Sequence, residues 1–205
     1  DLTGRVRVTD PDFPLSKTLT RPKRPSSDYD LNPHVALPAG RTLREAAVLV
    51  ATVARGNTTN LILTKRSSRL QHHPGQIAFP GGKLDPSDAD IIAAALREAE
   101  EEIGLHRSSV TVLGTLPSHE TVTGFLITPV LAHVTGPFTA RPEAGEVEEV
   151  FEVPLSHVLS TENFAIQSRR WRGQARRYYT VPWGPYYIWG ATARILRSIA
   201  TEETS

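Results

Sequence analysis

The sequence predicts an α+β fold in which helices pack on a mixed β-sheet. Two observations indicate this class: several short apolar runs of strand length flank one helix-like segment in the middle of the chain, and an amphipathic segment closes it. With 205 residues, 39% of them hydrophobic, the chain is long enough for one well-buried core and too short for two ordinary domains. We therefore expect one compact domain, residues 41–205, preceded by an extension.

The extension, residues 1–40, is rich in Pro, Asp, Ser and Arg. Proline lacks a backbone donor and fixes its φ angle, so this composition disfavours a sustained helix or a central strand. Arg21, Lys23 and Arg24 could contact a phosphate, although a solvated basic loop is the more ordinary role for such residues. We expect the segment to lie over the domain.

The first strands of the domain are predicted by two apolar runs, residues 46–54 and 61–63. The turn-like residues 55–57 join them, so the two runs are expected to pair. Residues 77–79 predict a short third strand, which Pro80, Gly81 and Gly82 should end.

A central helix follows. Residues 85–88 (Asp-Pro-Ser-Asp) provide oxygens that can cap its start and a proline suited to its first turn. Apolar residues then recur at helical spacing, and Gly104 is suited to end the helix. These apolar positions are Ile91, Ile92, Ala95, Leu96, Ala99 and Ile103.

Beyond the helix, residues 110–116, 125–134 and 147–153 predict strands, and Pro129 suggests that the second is an edge strand or carries a bulge. A short helix is expected at 154–159. Further strands are expected at 164–167 and 178–181, and an amphipathic helix at 191–200.

Composition excludes several function classes. Lys and Arg total 23 against 22 acidic residues, and we find no basic stripe, so we expect no nucleic-acid partner and no anionic membrane partner. Without cysteine there are no disulfides and no thiolate chemistry, which fits the cytoplasm. No apolar stretch approaches the length of about 20 residues that a membrane-spanning helix needs.

The strongest chemical signal is a cluster of glutamates on the central helix. Glu98, Glu101 and Glu102 are three and four residues apart and share one face, whereas Glu100 points elsewhere. Their mutual repulsion favours a hard divalent cation between them, with Arg97 bracing a carboxylate. A solvated acidic helix face is the alternative, and the glycine turn upstream argues against it, because glycine lets the backbone approach a ligand closely.

This arrangement resembles the signature of the Nudix hydrolase family, which ends in Arg-Glu-x-x-Glu-Glu-x-Gly. The match runs from Arg97 through Leu105. The first half of the signature departs from the family pattern, because Ala89, flanked by Asp88 and Asp90, stands where an auxiliary glutamate is usual.

Within this family the chain resembles the coenzyme A pyrophosphohydrolases. That branch carries Gly-Gly-Lys-x-Asp-x-x-Asp, here residues 81–88, and an upstream motif that begins Leu-Thr-x-Arg-Ser, here residues 63–67. The motif continues to Gly75 and to Phe-Pro-Gly-Gly at residues 79–82. Gln71 replaces its second arginine.

The resemblance implies the Nudix fold, a mixed β-sheet sandwiched between α-helices, and hydrolysis that depends on Mg²⁺ or Mn²⁺. Coenzyme A would be cut at its diphosphate into 3′,5′-adenosine bisphosphate and 4′-phosphopantetheine. The resemblance also implies which residues form a metal site and a substrate site. The metal ligands would be Glu98, Glu101, Glu102 and the Gly81 carbonyl, Arg97 would orient a glutamate, and Arg66, Arg69, Gly75 and Gly82 would contact substrate.

The general base is expected outside the signature, among Glu120, Glu146 and Glu149, and we select Glu149 as a catalytic residue. His119 could act with Glu120. The aromatic residues between Tyr178 and Trp189 could stack an adenine, or form core or a subunit interface, which leaves a homodimer open.

Two other functions remain open at this point. The first is hydrolysis of ADP-ribose or another nucleoside diphosphate derivative, which the loss of an arginine at Gln71 favours. The second is a Nudix-fold module that binds a nucleotide without catalysis, which the incomplete first half of the signature favours.

Overall fold

The structure is a computed structural model that describes residues 14–20 and 24–203, with side chains up to residue 200. None of the helices in this described part is long and apolar enough to cross a membrane. The expected α+β architecture is confirmed: a mixed sheet lies between one helix on one face and two on the other.

The elements follow one another in this order along the described chain. The strands are β1 (Ser26–Ser27), β2 (Arg44–Arg55), β3 (Thr58–Arg66), β4 (Ile77–Ala78), β5 (Gly81–Lys83), β6 (Val110–Thr115), β7 (His119–Glu120), β8 (Phe125–Val134), β9 (Val147–Pro154), β10 (Ala165–Trp171) and β11 (Gln174–Thr180). The α-helices are α1 (Ile91–Ile103), α2 (Leu155–Leu159) and α3 (Gly190–Glu203), and 3₁₀ turns occupy Ser16–Thr20, Arg107–Ser109 and Thr161–Asn163.

The main sheet is built around β2, which pairs parallel with β8 and antiparallel with β3 and β5. Pro129 was predicted to mark an edge strand or a bulge. The prediction of an edge is wrong, because β8 lies between β2 on one side and β6 and β7 on the other, and the β6–β8 ladder does carry a register shift, which falls between Val112 and Gly114 of β6. Pro129 occupies the gap between the β6 pairs, which end at Val130, and the β7 pairs, which begin at Ile127. A backbone donor is not required there, so proline is tolerated.

The two faces of the sheet carry separate apolar clusters. Ile62, Leu49 and Val130 pack against Ala95 and Ile103 of α1. The opposite face packs against α2 and α3 through a second cluster, whose members include Leu61, Leu63, Phe151, Val153, Leu155, Val158, Leu196 and Ile199. Alternate residues of β3 thus face different helices, as the period of two along a strand requires.

The start of α1 differs from the prediction. Asp90, with extended backbone angles, is the N-cap and accepts a hydrogen bond from the Ala93 N–H at 2.8 Å. Asp85 and Asp88 instead form a preceding turn, in which the Asp85 N–H donates to Asp88 at 2.9 Å. The predicted end is confirmed, because Gly104 adopts the left-handed conformation with φ at 71°.

Part of the N-terminal extension is packed against the domain. Leu15 is fully buried in the cluster beneath α3, and β1 pairs with β7. Among the basic residues considered at the sequence level, Arg24 is exposed, while Arg21 and Lys23 lie outside the described residues.

The short β5 strand also differs from the prediction. Gly81 and Gly82 were expected to end the preceding strand and to approach a ligand, and no strand was predicted for them, yet they pair with Val48 and Ala47 of β2. This pairing holds the double-glycine segment rigidly beside α1.

Candidate active site

A carboxylate cluster forms where α1 faces the glycine segment. Oxygens of Glu98, Glu102 and Glu146 lie within 4.8 Å of one another, close enough to share one cation. Glu98 and Glu102 come from successive turns of α1, and Glu146 comes from the start of β9. A set of carboxylate oxygens suits a hard divalent cation such as Mg²⁺ or Mn²⁺.

Burial makes this cluster electrostatically unusual. Glu102 is only 6% exposed, and its burial raises the pKa of its carboxyl to about 8. The charges of Glu98 and Glu146 act in the same direction, while the Gly81 N–H, which donates to Glu102 at 3.2 Å, opposes them. Burial also raises the pKa of Glu98. Burial thus disfavours negative charge on both Glu98 and Glu102, and a cation bound between these carboxylates would offset that cost.

Arg97 braces the acidic face, as predicted from the sequence. Its Nη1 donates to Glu98 at 3.0 Å and to Glu101 at 3.1 Å. Its Nε and Nη2 contact the two oxygens of Asp88 at 2.9 and 3.0 Å. One guanidinium therefore orients three carboxylates. Glu101, which was expected to converge with Glu98 and Glu102, is more exposed than Glu98 and is linked to it through this shared donor, whereas Glu146 takes the third place in the cluster.

The two glycines are required by close approach. A Cβ at Gly82 would lie 2.4 Å from Oε1 of Glu98, and a Cβ at Gly81 would lie 2.2 Å from the Ala47 carbonyl oxygen. A side chain at Gly82 would displace the Glu98 carboxylate, and one at Gly81 would disturb the β2–β5 pairing. The glycine segment is thus shaped around Glu98.

The structure separates the three general-base candidates. Glu146 joins the carboxylate cluster, whereas Glu149 accepts a hydrogen bond from the Tyr186 hydroxyl and Glu120 forms an ion pair with Arg41. Glu149 was selected from the sequence, but it lies on the strand face shared with Phe151, whose ring stacks on Tyr186 at 3.6 Å. The described residues do not bring Glu149 to the carboxylate cluster.

His119 is fully buried and does not face the carboxylates. Its Nδ1 contacts the Ser26 hydroxyl and its Nε2 contacts Asp28, each at 2.9 Å. Ser26 is itself buried, so this Ser-His-Asp arrangement lacks an accessible nucleophile and fastens β1 to β7 instead.

The loop after β3 brings the upstream motif to the same place. The Arg66 carbonyl accepts from the Gly75 N–H at 3.1 Å, and Gly75 has a φ of 70°, which closes the loop. The Arg66 guanidinium acts to lower the pKa of Glu102, and within the described residues its buried Nε has no hydrogen-bond partner. Arg69 lies farther along this loop and lines a small cavity with Ser67 and Glu148.

A mixed sheet between helices, with carboxylates of α1 facing a glycine segment, defines one structural class of hydrolases. The family model for the NUDIX domain matches residues 43–175 of the chain, and the chain belongs to that family. It is a Nudix hydrolase, so the expectation of the family and of an enzyme is confirmed.

Individual relatives agree with this assignment. The chain is 44% identical over 165 residues to a Citrobacter koseri protein named Uncharacterized Nudix hydrolase NudL, covering 80% of this chain and 85% of that one. It is 42% identical over 159 residues to a protein of the same name from Shigella boydii, covering 78% and 82%. A solved MutT/nudix family protein from Enterococcus faecalis, 14% identical, matches with a TM-score of 0.50 over 81% of this chain and 64% of that one, which supports the fold.

Proposed function

We propose that this Nudix hydrolase cuts the diphosphate bond of coenzyme A or a derivative, giving 3′,5′-adenosine bisphosphate and 4′-phosphopantetheine. One observation supports the proposal: Arg66, at the end of β3 in the segment that carries the coenzyme A motif, pairs with Val147 next to Glu146 of the carboxylate cluster, and the following Ser67 N–H donates to the Glu146 carbonyl at 2.8 Å. A cation-binding cluster and a free guanidinium donor at one place are what a diphosphate requires.

We assign the ligands of the cation to Glu98, Glu102 and Glu146, with Glu101 and the Gly81 carbonyl as further candidates. When bound, Mg²⁺ or Mn²⁺ neutralises diphosphate charge and activates water for attack at phosphorus. Arg97 holds Glu98 and Glu101 in place and does not contact substrate. Glu146 replaces Glu149 as the downstream glutamate that we assign to the site.

The substrate contacts are assigned to the loop and the glycine segment. The Nε of Arg66 is buried and has no hydrogen-bond partner among the described residues, and we assign this unused donor to a phosphate oxygen of the substrate. Gly75 shapes the loop, and Gly82 leaves the space in which Glu98 lies. Arg69, whose guanidinium forms no ion pair with the described residues, supplies a second positive charge on the loop where Gln71 has replaced an arginine.

The test is hydrolysis of coenzyme A with Mg²⁺ and with Mn²⁺, with the products separated by chromatography. Glu101→Gln should abolish turnover, whereas Glu100→Gln, a matched change of the neighbouring glutamate that points toward His106, should leave it intact. ADP-ribose serves as the competing substrate. Cleavage of ADP-ribose far faster than of coenzyme A would reject the coenzyme A proposal and retain the site.

A further inference from the structure

The strands β10 and β11 form an arginine-rich hairpin outside the main sheet. Its sixteen residues, 165–180, contain Arg169, Arg170, Arg172, Arg176 and Arg177, and they contain no acidic residue. The net charge of the whole chain, +1, conceals this local concentration of arginines, so the expectation of no basic stripe does not hold for the hairpin. The hairpin concentrates them on one small structure.

One face of the hairpin carries a like-charge pair. Arg169 and Arg176 are directly opposite each other in the antiparallel ladder, and Trp171 and Tyr178 lie on the same face. Like charges at directly opposed positions destabilise a sheet, so this face is costly unless an anion covers it. The Nε of Arg176 is buried and has no hydrogen-bond partner among the described residues.

This face forms one wall of a cleft. The other walls come from the segment that follows β1 and from the start of α3, with Asn32, Trp189 and Arg194 among the lining residues. Asn32, which is buried, fastens the hairpin in place: its amide donates to the Arg177 carbonyl at 2.9 Å and its oxygen accepts from the Arg177 N–H at 2.8 Å. The cleft is therefore a built feature of the fold.

Positive charge in the cleft exceeds the acidic groups that could neutralise it. Arg194 is paired with Asp30, and the lining carboxylate of Asp28 is engaged by His119 and by the Val122 N–H. Arg169 and Arg176 have no carboxylate partner among the described side chains. Arg169 instead lies over the Trp189 ring at 4.5 Å. Arginines beside aromatic rings suit a phosphorylated nucleoside, because phosphate binds the guanidinium and the base can stack.

The cleft adjoins the active site through the loop after β3. His73 of this loop lines the cleft, and Arg66 donates through its Nη2 to the carbonyl of the neighbouring His72 at 3.4 Å. Arg66 also pairs with Val147, the residue next to Glu146 of the carboxylate cluster. The loop therefore connects the cleft to the carboxylate cluster.

We propose that the cleft binds the nucleotide end of the substrate and that Arg169 and Arg176 recognise a phosphate monoester additional to the diphosphate. The inference rests on the proposed function, because a second phosphate beside an adenosine is what distinguishes coenzyme A from its dephosphorylated form. It explains why an exposed hairpin carries opposed arginines.

Calorimetric titration without divalent metal tests the site directly. Wild-type protein should bind 3′,5′-adenosine bisphosphate about tenfold or more tightly than 5′-AMP, since a charge-assisted hydrogen bond contributes that much. Arg169→Gln and Arg176→Gln should each remove most of this preference. Arg170→Gln is the matched control, because Arg170 lies opposite Ala175 and does not line the cleft. Melting temperatures of the three variants check folding.

The outcomes separate this inference from the proposed function. If the wild type shows no preference for 3′,5′-adenosine bisphosphate, the cleft does not recognise the additional phosphate and the proposal is wrong. If all three variants lose the preference equally, the arginines attract anions only in a general way, and the proposal is also wrong. Retention of the preference in Arg169→Gln and Arg176→Gln would also overturn it. If the preference behaves as expected but coenzyme A is not hydrolysed, the substrate proposal fails and the phosphate site stands. If coenzyme A is hydrolysed, its kcat/KM advantage over dephospho-coenzyme A should fall in the same two variants.

Discussion

The pH dependence of stability follows from the buried carboxyl of Glu102. Its pKa is about 8 in the folded protein against an ordinary value of 4.5, because burial disfavours the charged form. The folded state therefore holds a proton that the unfolded state has lost across the intervening pH range. The contribution to stability is complete near the ordinary pKa and is progressively lost as pH rises through 8.

The magnitude is large for a single group. The pKa difference corresponds to about 5 kcal/mol in the free energy of unfolding. Of this stability, about 3 kcal/mol is lost between roughly pH 6 and pH 9. For a domain of this size that predicts a fall in melting temperature of about 6–12 °C across the same range for metal-free protein. Glu98, whose pKa burial also raises, adds to the fall with the same sign.

Thermal unfolding of metal-free protein at several pH values measures this fall. Glu102→Gln should flatten it by more than half, because the amide keeps an oxygen to accept from Gly81 but cannot ionise. Glu100→Gln should leave it unchanged. Added Mg²⁺ should stabilise the wild type more at alkaline than at acidic pH, since a ligand must be deprotonated to bind. Identical pH profiles for wild type and Glu102→Gln would refute the reasoning.

Three further predictions concern individual positions. Arg97→Gln should lower kcat by about 100-fold or more, as measured by steady-state kinetics. Arg97→Lys should not restore kcat, because an ammonium cannot contact three carboxylates in the fixed geometry of a guanidinium. Gly82→Ala should weaken Mn²⁺ binding about tenfold or more, since its Cβ would displace Glu98, and unchanged affinity by titration would contradict the close approach. Glu146→Gln should weaken Mn²⁺ binding while Glu149→Gln leaves it within about twofold; the reverse order would return Glu149 to the site.

Much of the fold could be predicted because it depends on local signals. The glycine that ends α1 and the apolar run of β8 each act within a few residues. The start of α1 could not be placed in the same way. Asp85, Asp88 and Asp90 all have capping chemistry, and only the contact of Asp88 with Arg97, nine residues away, shows which one is left to cap the helix.

Which downstream glutamate lies at the carboxylate cluster depends on contacts between residues that are far apart in the sequence. Glu146 reaches α1 because β9 pairs with β3 and the Ser67 N–H donates to the Glu146 carbonyl at 2.8 Å. Strand parity does place Glu149 on the face of Phe151 and Val153. The sequence alone does not say whether that face packs on α1 or on α3. Strand parity therefore excludes Glu149 from the carboxylate cluster only once the packing of the helices on the sheet is known.

The arginine-rich hairpin could not be predicted as a whole from the sequence pattern. Its middle is charged and largely exposed, so no apolar alternation marked it, and only its less polar ends were predicted as strands. The turn at Arg172 and Gly173 has positive φ angles at both residues, 50° and 79°, which match the twist of a two-residue hairpin. Arginine is an unusual first residue for such a turn, and this weakened the local signal.

The departure from the family pattern at Ala89 can now be given a physical meaning. The flanking aspartates are both committed: Asp90 caps α1, and Asp88 makes a two-oxygen contact with Arg97. Neither is left as a free carboxylate for a cation, so this chain uses the region to fix Arg97. That contact compensates for the missing glutamate indirectly, because Arg97 in turn orients Glu98 and Glu101. The carboxylate cluster takes its third member from Glu146, immediately before β9, so the proposed cation site depends on the β3–β9 pairing as well as on α1.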